Sequence, residues 1–296
     1  MDVRHLELLR ELADRGSVTA VAAATHRTPS AVSQQLRTAQ RELGLPLVEP
    51  DGRGVRLTDA GRLLAEGSRE VARVIAQVQA RFDEFRQEPS GVVTVAALAS
   101  AATFLLPGVL AELESTAIRL ECTDVDVSEE RYADLVTDYD IVIGHSLTPQ
   151  PARRRDGLIA TVLAREPLEI GMRAGHRLAR RRAVTPRDLV GVQWYGVPLG
   201  YPFDTVRLAV EAAAGQPVPI VQRLRDNRLI EALVAASDRV AVLPRFTTPT
   251  GRGVVLRPIR GLDTGRQIVA LLRPDRAERL AVRHALACLR RAAARP

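Results

Sequence analysis

The sequence predicts an α/β chain in two parts: an all-α N-terminal region ending in a long helix, then a region of alternating strands and helices. Three observations lead to this fold class. Capped helical segments with apolar periodicity occupy most of the first 44 residues. Residues 58–88 contain no proline and carry apolar side chains at heptad spacing. Beyond Gly91, segments typical of strands and of helices alternate.

Composition limits the classes of protein that remain. The 296 residues are 46% hydrophobic and 26% charged, which excludes a disordered, collagen-like or fibrous chain as an overall description. Two cysteines, Cys122 and Cys288, are too few for a disulfide scaffold or a multi-cysteine zinc site, and we expect neither a metal nor a bound cofactor. Charged residues follow Met1 where a secretory signal needs an apolar core, so we expect a cytoplasmic protein.

One uncharged stretch is long enough to cross a membrane. The 23 residues between Glu88 and Glu112 carry no charge. Serine, threonine, glycine and proline interrupt the stretch, and much of the remainder is alanine, which contributes little to insertion. A buried strand at Val92–Ala97, a loop, and a helix with Pro107 in its first turn explain it better. We therefore expect no membrane partner.

The net charge of +7 is weak evidence for a nucleic-acid partner. All 42 basic residues are arginine, a bias typical of GC-rich genomes. Residues 1–90 hold 13 arginines and 13 acidic residues, so their net charge is zero. Residues 112–140 hold ten acidic residues and two arginines, and residues 153–187 hold ten arginines and three acidic residues. Any argument for DNA must therefore rest on local pattern.

The first helices form a helix-turn-helix pattern. Ser17 is a natural N-cap for a helix of small residues over Val18–Thr25. Thr28 caps a third helix that starts with Pro29 and ends at Gly44. Two short helices joined by a tight turn, with small polar side chains opening the second, are typical of DNA-reading domains.

The third helix and the hairpin after it carry the predicted DNA contacts. Four arginines and no acidic residue lie between Asp14 and Glu42, which gives a neutral domain one cationic side. Asp51-Gly52-Arg53-Gly54 is a hairpin turn, or wing, placed for phosphate contacts. The predicted contacts are Arg27, Thr28, Pro29, Ser30, Ser33, Gln34, Arg37, Arg53 and Arg56. The alternative is a small helical bundle with a solvated arginine face.

This region resembles the LysR-type transcriptional regulators. The matching segments are Gly16-Ser17 with the alanine-rich helix, Thr28–Leu36, Glu42-Leu43-Gly44 and Arg53–Gly61. Three positions depart from the usual pattern: Thr28 replaces Gln, Ala39-Gln40 replaces Leu-Glu, and Val48-Glu49-Pro50 replaces Phe-x-Arg. The last departure removes an arginine just before the wing and puts phosphate binding there in doubt.

The long helix carries an apolar seam. Its residues follow alternating steps of four and three: Leu64, Ser68, Val71, Ile75, Val78, Phe82 and Phe85. About 30 residues at about 1.5 Å each give roughly 45 Å, which is long for an ordinary core helix. We expect the seam, apart from Ser68, to form a dimer with a second copy. The alternative is packing against the chain's own C-terminal region.

The remaining 200 residues predict a two-lobed domain. The predicted strands are Val92–Ala97, Arg119–Val125, Asp140–Gly144, Leu168–Met172, Val240–Leu243 and Gln267–Leu272. The predicted helices are Pro107–Ser115, Ser128–Thr137, Phe203–Ala214, Arg228–Ala236 and Glu278–Ala294. Such alternation favours parallel sheets with helices on both faces.

The resemblance implies an architecture for the whole chain. A winged helix-turn-helix over 1–58 and a linker helix over 59–88 precede a periplasmic-binding-protein-like effector domain over 89–296. Lobe one would comprise 92–161 and 264–296, and lobe two 162–263. A small molecule would bind in the cleft between the lobes.

Polar and aromatic side chains mark the predicted cleft. Clefts in such sheets lie where strands end and helices begin. The predicted effector contacts are Ser100, Ala101, Thr103, Ser128, Ser146, Leu147, Tyr195, Tyr201, Phe203 and Asn227. Trp194–Phe203 holds four of the ten aromatic residues, which fits either an aromatic pocket wall or a small core cluster. Asn227 could contact a ligand or cap a helix.

The chemical class of the effector follows from these side chains. Hydroxyls and a basic lobe two favour a carboxylate effector, and the aromatics favour a planar or apolar body.

The sequence offers no catalytic constellation. Five scattered histidines accompany no nucleophile elbow, phosphate-binding loop or metalloprotease motif, so we expect no enzyme.

We expect a ligand-responsive, sequence-specific regulator whose partners are an operator in double-stranded DNA, a small-molecule effector and a second copy, as dimer or tetramer. The resemblance also implies RNA polymerase as a partner. The alternative is an intracellular two-lobed solute-binding protein without DNA function.

Overall fold

A computed structural model describes residues 2–52, 54–86, 89–125, 127–146, 157–251 and 253–294. Arg53 and Leu147, two of the predicted contacts, lie outside the described residues. The chain divides into two compact units. The first comprises Met1–Gln87 with Pro274–Arg279, and the second comprises Glu88–Arg273 with Leu280–Pro296.

The first unit is a winged helix-turn-helix. Its elements in chain order are α1 (Val3–Arg15), α2 (Val18–Ala24), α3 (Pro29–Leu43), β1 (Val48–Asp51), β2 (Gly54–Leu57) and α4 (Asp59–Phe85). The predicted caps are confirmed: the Ser17 and Thr28 hydroxyls accept the Ala20 and Ala31 backbone N–H groups. Gly44 ends α3 with a φ of 71°, in the left-handed region that favours glycine.

Apolar side chains from all these helices meet in one core. The core is formed by Leu8, Leu9, Leu12, Val21, Ala22, Val32, Leu36, Ala39, Leu47, Leu57 and Ala65. The hairpin and the first turn of α4 approach closely at Gly61, where a Cβ atom would lie 2.2 Å from the Leu47 carbonyl oxygen. Only glycine fits there, so Gly61 fixes how the wing meets the long helix.

The second unit contains the other strands and helices. Its strands are β3 (Ser90–Leu98), β4 (Ala117–Val125), β5 (Ile141–Ser146), β6 (Ile159–Arg173), β7 (Trp194–Gly196), β8 (Ile220–Arg223), β9 (Ala241–Pro244), β10 (Val254–Arg257) and β11 (Gly265–Leu272). Its helices are α5 (Ala99–Leu113), α6 (Tyr132–Leu135), α7 (Pro186–Val190), α8 (Pro202–Ala214) and α9 (Asn227–Ala235), followed by α11 (Leu280–Ala293). The intervening α10 (Pro274–Glu278) belongs to the first unit.

Among the described residues, one sheet runs in the order β10-β6-β11-β5-β3-β4, and β9 also pairs with β6. Only β3 pairs in parallel here, with β4 and β5; the other pairings are antiparallel. The expectation of parallel pairing is therefore confirmed for β4-β3-β5 and wrong for the rest of this sheet. The long strand β6 accounts for three of the antiparallel pairings. Its segment Ile159–Pro167 pairs with β11, and its segment Leu168–Arg173 pairs with β9 and β10.

That long strand passes from one lobe to the other. Lobe one contains β3, β4, β5, β11 and the first half of β6. Lobe two contains the second half of β6 with β7 to β10, and its own large core surrounds Ile170, Trp194 and Leu243. The α/β fold class with two lobes is thus as predicted.

Three predicted helices differ from the structure. The helix expected to start at Pro107 begins at Ala99, directly after β3, and holds Pro107 in its interior. Proline was interpreted as a start signal, yet this helix tolerates the lost backbone hydrogen bond. Ser128–Thr137 contains a 3₁₀ turn and the short α6, and the last predicted helix breaks into α10 and α11. In the described part of the chain, no helix combines the length and apolar character of a membrane span.

Candidate DNA-reading surface and effector cleft

The N-terminal half of α3 presents a polar face. Thr28, Pro29, Ser30 and Gln34 are exposed, and Ser33 is half-buried. The opposite face packs Val32, Leu36 and Ala39 into the core. The helix therefore offers hydroxyl and amide groups, which can hydrogen-bond to base edges, from a rigid support.

Two arginines flank this face, and neither pairs with a carboxylate among the residues that the structure describes. Arg27 donates a 2.6 Å hydrogen bond to Gln35, whose amide in turn donates to the Arg4 carbonyl. Arg37 is exposed and forms no ion pair within the described ranges. Because no carboxylate of the described residues neutralises these two guanidinium groups, this face is cationic although the domain is neutral overall.

The wing differs, because its described arginine is paired. Glu49 and Arg56 lie opposite each other in the β1–β2 register, and their side chains are 3.0 Å apart. Glu49 belongs to the segment where the sequence departs from the usual regulator pattern. That departure therefore does more than remove an arginine, since it also places the carboxylate of Glu49 beside Arg56.

The second half of α4 exposes its apolar seam. Ile75, Val78, Phe82 and Phe85 are 52%, 59%, 55% and 85% exposed. Earlier along the seam, Ser68 is buried, and Leu64 and Val71 are half-buried. Large apolar side chains exposed in a row mark a surface that needs a partner.

The second unit holds a cavity of about 340 Å³ between its two lobes, called the cleft below. Its lining residues are Leu98, Ala99, Ser100, Thr103, Val125, Val127, Tyr132, His145, Val197, Tyr201, Phe203, Arg225, Asp226, Asn227, Arg228, Glu231, Thr247 and Arg266. Five predicted effector contacts are among them: Ser100, Thr103, Tyr201, Phe203 and Asn227.

Four other predicted contacts do not line the cleft. Ala101 is fully buried in α5, and Ser128 precedes the 3₁₀ turn. The Ser146 hydroxyl donates to Glu129 at 2.7 Å. The Tyr195 hydroxyl accepts a hydrogen bond from Arg239 on another side of lobe two. The aromatic segment is thus divided: Tyr201 and Phe203 face the cleft, whereas its first two aromatics lie in the core of lobe two.

Asn227 is the first residue of α9 and not its cap. Asp226 caps the helix, because its carboxylate accepts the backbone N–H groups of Arg228 and Leu229. The interpretation of Asn227 as an N-cap is therefore wrong. Its side chain remains available at the wall of the cleft.

A buried ion pair that the sequence does not reveal forms one end of the cleft. Arg266 and Glu166 are 2% and 1% exposed, and Arg266 donates to Glu166 at 2.5 and 2.8 Å. Arg266 also donates to the Ser100 hydroxyl at 2.7 Å, and its guanidinium lies 5.3 Å from the centre of the Phe203 ring. The two charges meet because β6 and β11 place these residues opposite each other, at positions 100 residues apart in the sequence.

His145 supplies an uncharged polar group beside this pair. Its Nδ1 atom lies 3.1 Å from the Tyr132 hydroxyl, and its buried Nε2 atom has no hydrogen-bond partner among the described residues. Burial, assisted by the charge of Arg266, lowers the pKa of His145 to about 3. The imidazole is therefore neutral at physiological pH and offers one ring nitrogen to a ligand.

The lobe-two side of the cleft carries two arginines, Arg225 and Arg228, beside two carboxylates, Asp226 and Glu231. Arg225 lies 5.8 Å from the centre of the Tyr201 ring. Arg228 donates to Glu231 at 2.9 Å and to the Thr247 carbonyl at 3.1 Å. Apolar walls, one neutral imidazole and several guanidinium groups suit a small molecule that combines an apolar body with polar ends.

Taken together, the polar face of α3 and the cleft of the second unit define a ligand-responsive DNA-binding regulator. The family model for the LysR substrate binding domain matches residues 86–294. The model for bacterial regulatory helix-turn-helix proteins of the lysR family matches residues 3–62. The chain belongs to the LysR family of bacterial transcriptional regulators, as the sequence motifs indicated.

Individual relatives extend over nearly the whole chain. The hydrogen peroxide-inducible genes activator of Pectobacterium carotovorum is 25% identical over 93% of this chain and 91% of its own length. Full-length OxyR of Pseudomonas aeruginosa, a cysteine-to-aspartate variant, has a TM-score of 0.66 at 18% identity and covers 99% of this chain and 94% of its own. CbnR in complex with its target DNA has a TM-score of 0.56 at 19% identity, covering 99% and 100%. The two structures support the fold.

Proposed function

We propose that this regulator reads its operator with the N-terminal face of α3 as a self-associated dimer or tetramer. The observation that carries the proposal is the cationic polar face around Gln34 and Arg37, free of carboxylates in the described residues. Arginine and amide side chains at the start of a reading helix suit base edges and phosphates. We place the protein in the cytoplasm, where operator DNA is available.

The exposed half of the α4 seam supports self-association. A reading helix alone covers one half-site, whereas two copies joined along Ile75, Val78, Phe82 and Phe85 would present two. Leu64, of the same seam, packs against the core of its own unit, and Val71 is half-buried. Self-association would remove four large apolar side chains from water.

The test of the reading face is a gel-shift titration on an operator selected from genomic DNA. Gln34→Ala should lower the affinity for the operator about ten-fold while changing the affinity for random DNA less than two-fold, because an amide contributes to base discrimination. Gln79→Ala, on the exposed surface of α4, is the matched control and should leave both affinities unchanged. Equal loss on both DNAs would place the reading surface elsewhere, and an absence of selected DNA would favour a solute-binding protein.

For the effector, we propose a small carboxylate with an aromatic or apolar body. Tyr201 and Phe203 supply flat walls, and the guanidinium of Arg225 at the rim pairs with no carboxylate within the described residues. The Arg266 charge is already matched by Glu166, so the rim is the better place for a ligand charge. No reacting group is implied, and we propose a binding function and not catalysis.

Hydrogen peroxide is the competing effector, because the Pectobacterium relative is named for it. Peroxide oxidises thiolates, and accessible thiols with a low pKa react best. Cys122 and Cys288 do not line the cleft. Cys288 is buried, and burial raises the pKa of its thiol. Cys122 is exposed, but partial desolvation and the charge of Asp124 raise the pKa of its thiol as well. These features favour a non-covalent ligand.

Calorimetric titration of the full chain with benzoate and with benzamide tests the effector class. Benzoate should bind at least ten-fold more tightly than its neutral analogue, because only benzoate can pair with a guanidinium. Ser100→Ala should weaken benzoate binding and its effect on a gel shift without changing DNA affinity in its absence. Ser128→Ala, a serine outside the cleft, is the control. Equal binding of the two compounds would contradict a carboxylate.

A further inference from the structure

Lobe two carries a second cavity, distinct from the cleft. It has a volume of about 660 Å³ and shares no lining residue with the cleft. Its lining residues are Arg173, Gly175, His176, Arg177, Gly191, Val192, Gln193, Asp238 and Arg239. Three separate segments supply them: the end of β6 with the following turn, the residues after α7, and the residues after α9. The proposed function does not use this cavity.

The charge of the second cavity is strongly unbalanced. Its three arginines face one carboxylate, Asp238, which Arg173 holds through contacts of 2.6 and 2.7 Å. Arg239 instead donates to two neutral oxygens, Gln193 Oε1 and the Tyr195 hydroxyl, each at 3.1 Å. Among the described residues, no carboxylate pairs with Arg239, so its positive charge is not offset in this wall.

Arg177 is the second uncompensated charge. It is exposed and forms no ion pair with any residue that the structure describes. Asp188 interacts electrostatically with Arg177, but its carboxylate already accepts hydrogen bonds from Thr185 and Arg181. Two guanidinium charges, from Arg177 and Arg239, thus remain for a ligand.

His176 adds a hydrogen-bonding side chain to the lining of this cavity. The residue is 4% exposed, and its Nδ1 atom accepts the Leu178 backbone N–H at 3.2 Å. A neutral imidazole that accepts at Nδ1 carries its proton at Nε2. Burial lowers the pKa of His176, which keeps the ring in this neutral form. The cavity wall therefore holds an N–H donor between charged groups.

One of these donors, Arg239, is held in place before any ligand arrives. The Arg239 guanidinium lies 5.5 Å from the centre of the Tyr195 ring as well as bonding to its hydroxyl, and Arg173 is fixed on Asp238. Preorganised guanidinium groups lose little side-chain freedom when they bind an oxyanion. Their planar donor pairs suit phosphate and carboxylate oxygens.

We propose that this second cavity binds a phosphate monoester or inorganic phosphate through Arg177, Arg239 and His176. The two uncompensated positive charges match the nearly double negative charge of a phosphate monoester at neutral pH. A monocarboxylate would leave one of them unmatched. The ligand is therefore distinct from the carboxylate proposed for the cleft, and the site would let one regulator respond to a second class of metabolite.

Calorimetric titration of the full chain at constant ionic strength tests this proposal, with inorganic phosphate and glycerol 3-phosphate as probes. Both should bind, and tighter binding of the ester would identify a phosphorylated metabolite as the source, whereas tighter binding of inorganic phosphate would identify the free ion. Arg177→Gln should weaken binding about ten-fold or more, because it removes a charge-assisted hydrogen bond. Arg180→Gln, an exposed arginine of the same segment outside the cavity, is the matched control and should change binding less than two-fold.

Two further variants separate the proposal from its competitors. Arg37→Gln should leave phosphate binding intact; if it abolishes binding, the phosphate sits on the DNA-reading face and the proposal is wrong. Arg239→Gln, checked for an unchanged thermal midpoint, should weaken binding as Arg177→Gln does. The proposal is overturned by the absence of saturable binding at millimolar phosphate or by equal losses in Arg177→Gln and Arg180→Gln. It is also overturned if Arg177→Gln alters only the sedimentation of the chain, which would assign the cavity to an acidic surface of a second copy.

Discussion

Arginine has two contrasting roles in this chain, and a clear example of each lies in a different unit. On the helix-turn-helix unit, Arg37 is exposed and Arg27 donates to the amide of Gln35, and neither pairs with a carboxylate in the part of the chain that the structure describes. In the effector unit, Arg266 is buried against Glu166, and Arg207 is 8% exposed between Asp204 and Glu211. The same residue type serves a binding partner where it is exposed and unpaired, and the fold where it is buried against carboxylates.

The difference shows what exposure does to a charge. An exposed, unpaired guanidinium can neutralise a phosphate, and its contribution falls as salt rises. A buried guanidinium is shielded from salt and depends on its carboxylate, because removing one partner leaves the other charged and desolvated. The two groups of arginines should therefore respond to different perturbations.

The largest effect is expected at the buried pair. Arg266→Ala should lower the free energy of unfolding of the effector unit by about 3–5 kcal/mol, because Glu166 is left buried without its counter-charge. Urea denaturation followed by the fluorescence of Trp194, the single tryptophan, measures this change.

Arg165→Ala is the matched control for that variant. Arg165 is the neighbour of Glu166 on β6 and pairs with Asp263, but their side chains are 54% and 79% exposed. Its loss should cost at most about 1 kcal/mol. Equal losses for Arg266→Ala and Arg165→Ala would show that burial does not separate the two classes of arginine.

A smaller effect is expected from acid, through the histidine beside the buried pair. The unfolded chain binds a proton on His145 below pH 6.5, whereas the folded chain does so only near pH 3. Stability should therefore fall as pH drops through this window, by about 2 kcal/mol between pH 7 and pH 5. His145→Phe should remove this part of the acid sensitivity in urea denaturation at the two pH values. An unchanged difference between them would mean that His145 is protonated in the fold.

The helix-turn-helix unit is largely predictable because its signals are local. Ser17, Thr28 and Thr58 accept hydrogen bonds from backbone groups three residues away, and Gly16 and Gly44 end their helices. Such capping residues can be predicted from the sequence alone, because their partners lie within the next helical turn. Half of the seam of α4 is likewise exposed, as its spacing suggested, although its partner remains a prediction.

The cleft is only partly predictable because its chemistry is non-local. Ser100 and Phe203 follow strand or loop signals and could be selected. Arg266 and His145 lie inside strands whose partners are distant in sequence, so neither their burial nor their contacts could be read from spacing. Tyr195 was wrongly predicted to line the cleft, because the sequence of an aromatic segment does not show whether each ring faces the cleft or the core.

The smallest effect is expected at the wing, where the exposed class of arginine meets a carboxylate. Glu49 sits opposite Arg56, and both side chains are about half-exposed. Such a pair contributes little to stability, but Glu49 also repels phosphates and so offsets the attraction of Arg56. Glu49→Gln should therefore raise the affinity for every DNA sequence a few-fold. It should also steepen the slope of log affinity against log salt concentration by about the amount that one added phosphate contact gives.

The same comparison gives Arg56 two different effects depending on its neighbour. In the native chain, Arg56→Ala should weaken DNA binding only about two-fold, because the lost attraction is already offset by Glu49. In the Glu49→Gln background, the identical change should weaken binding several-fold more, since Arg56 then acts as the unpaired arginines of α3 do. Fluorescence anisotropy titrations at two salt concentrations measure the coupling. If both backgrounds lose the same affinity, Arg56 leaves Glu49 when DNA binds, and the wing belongs with the reading helix after all.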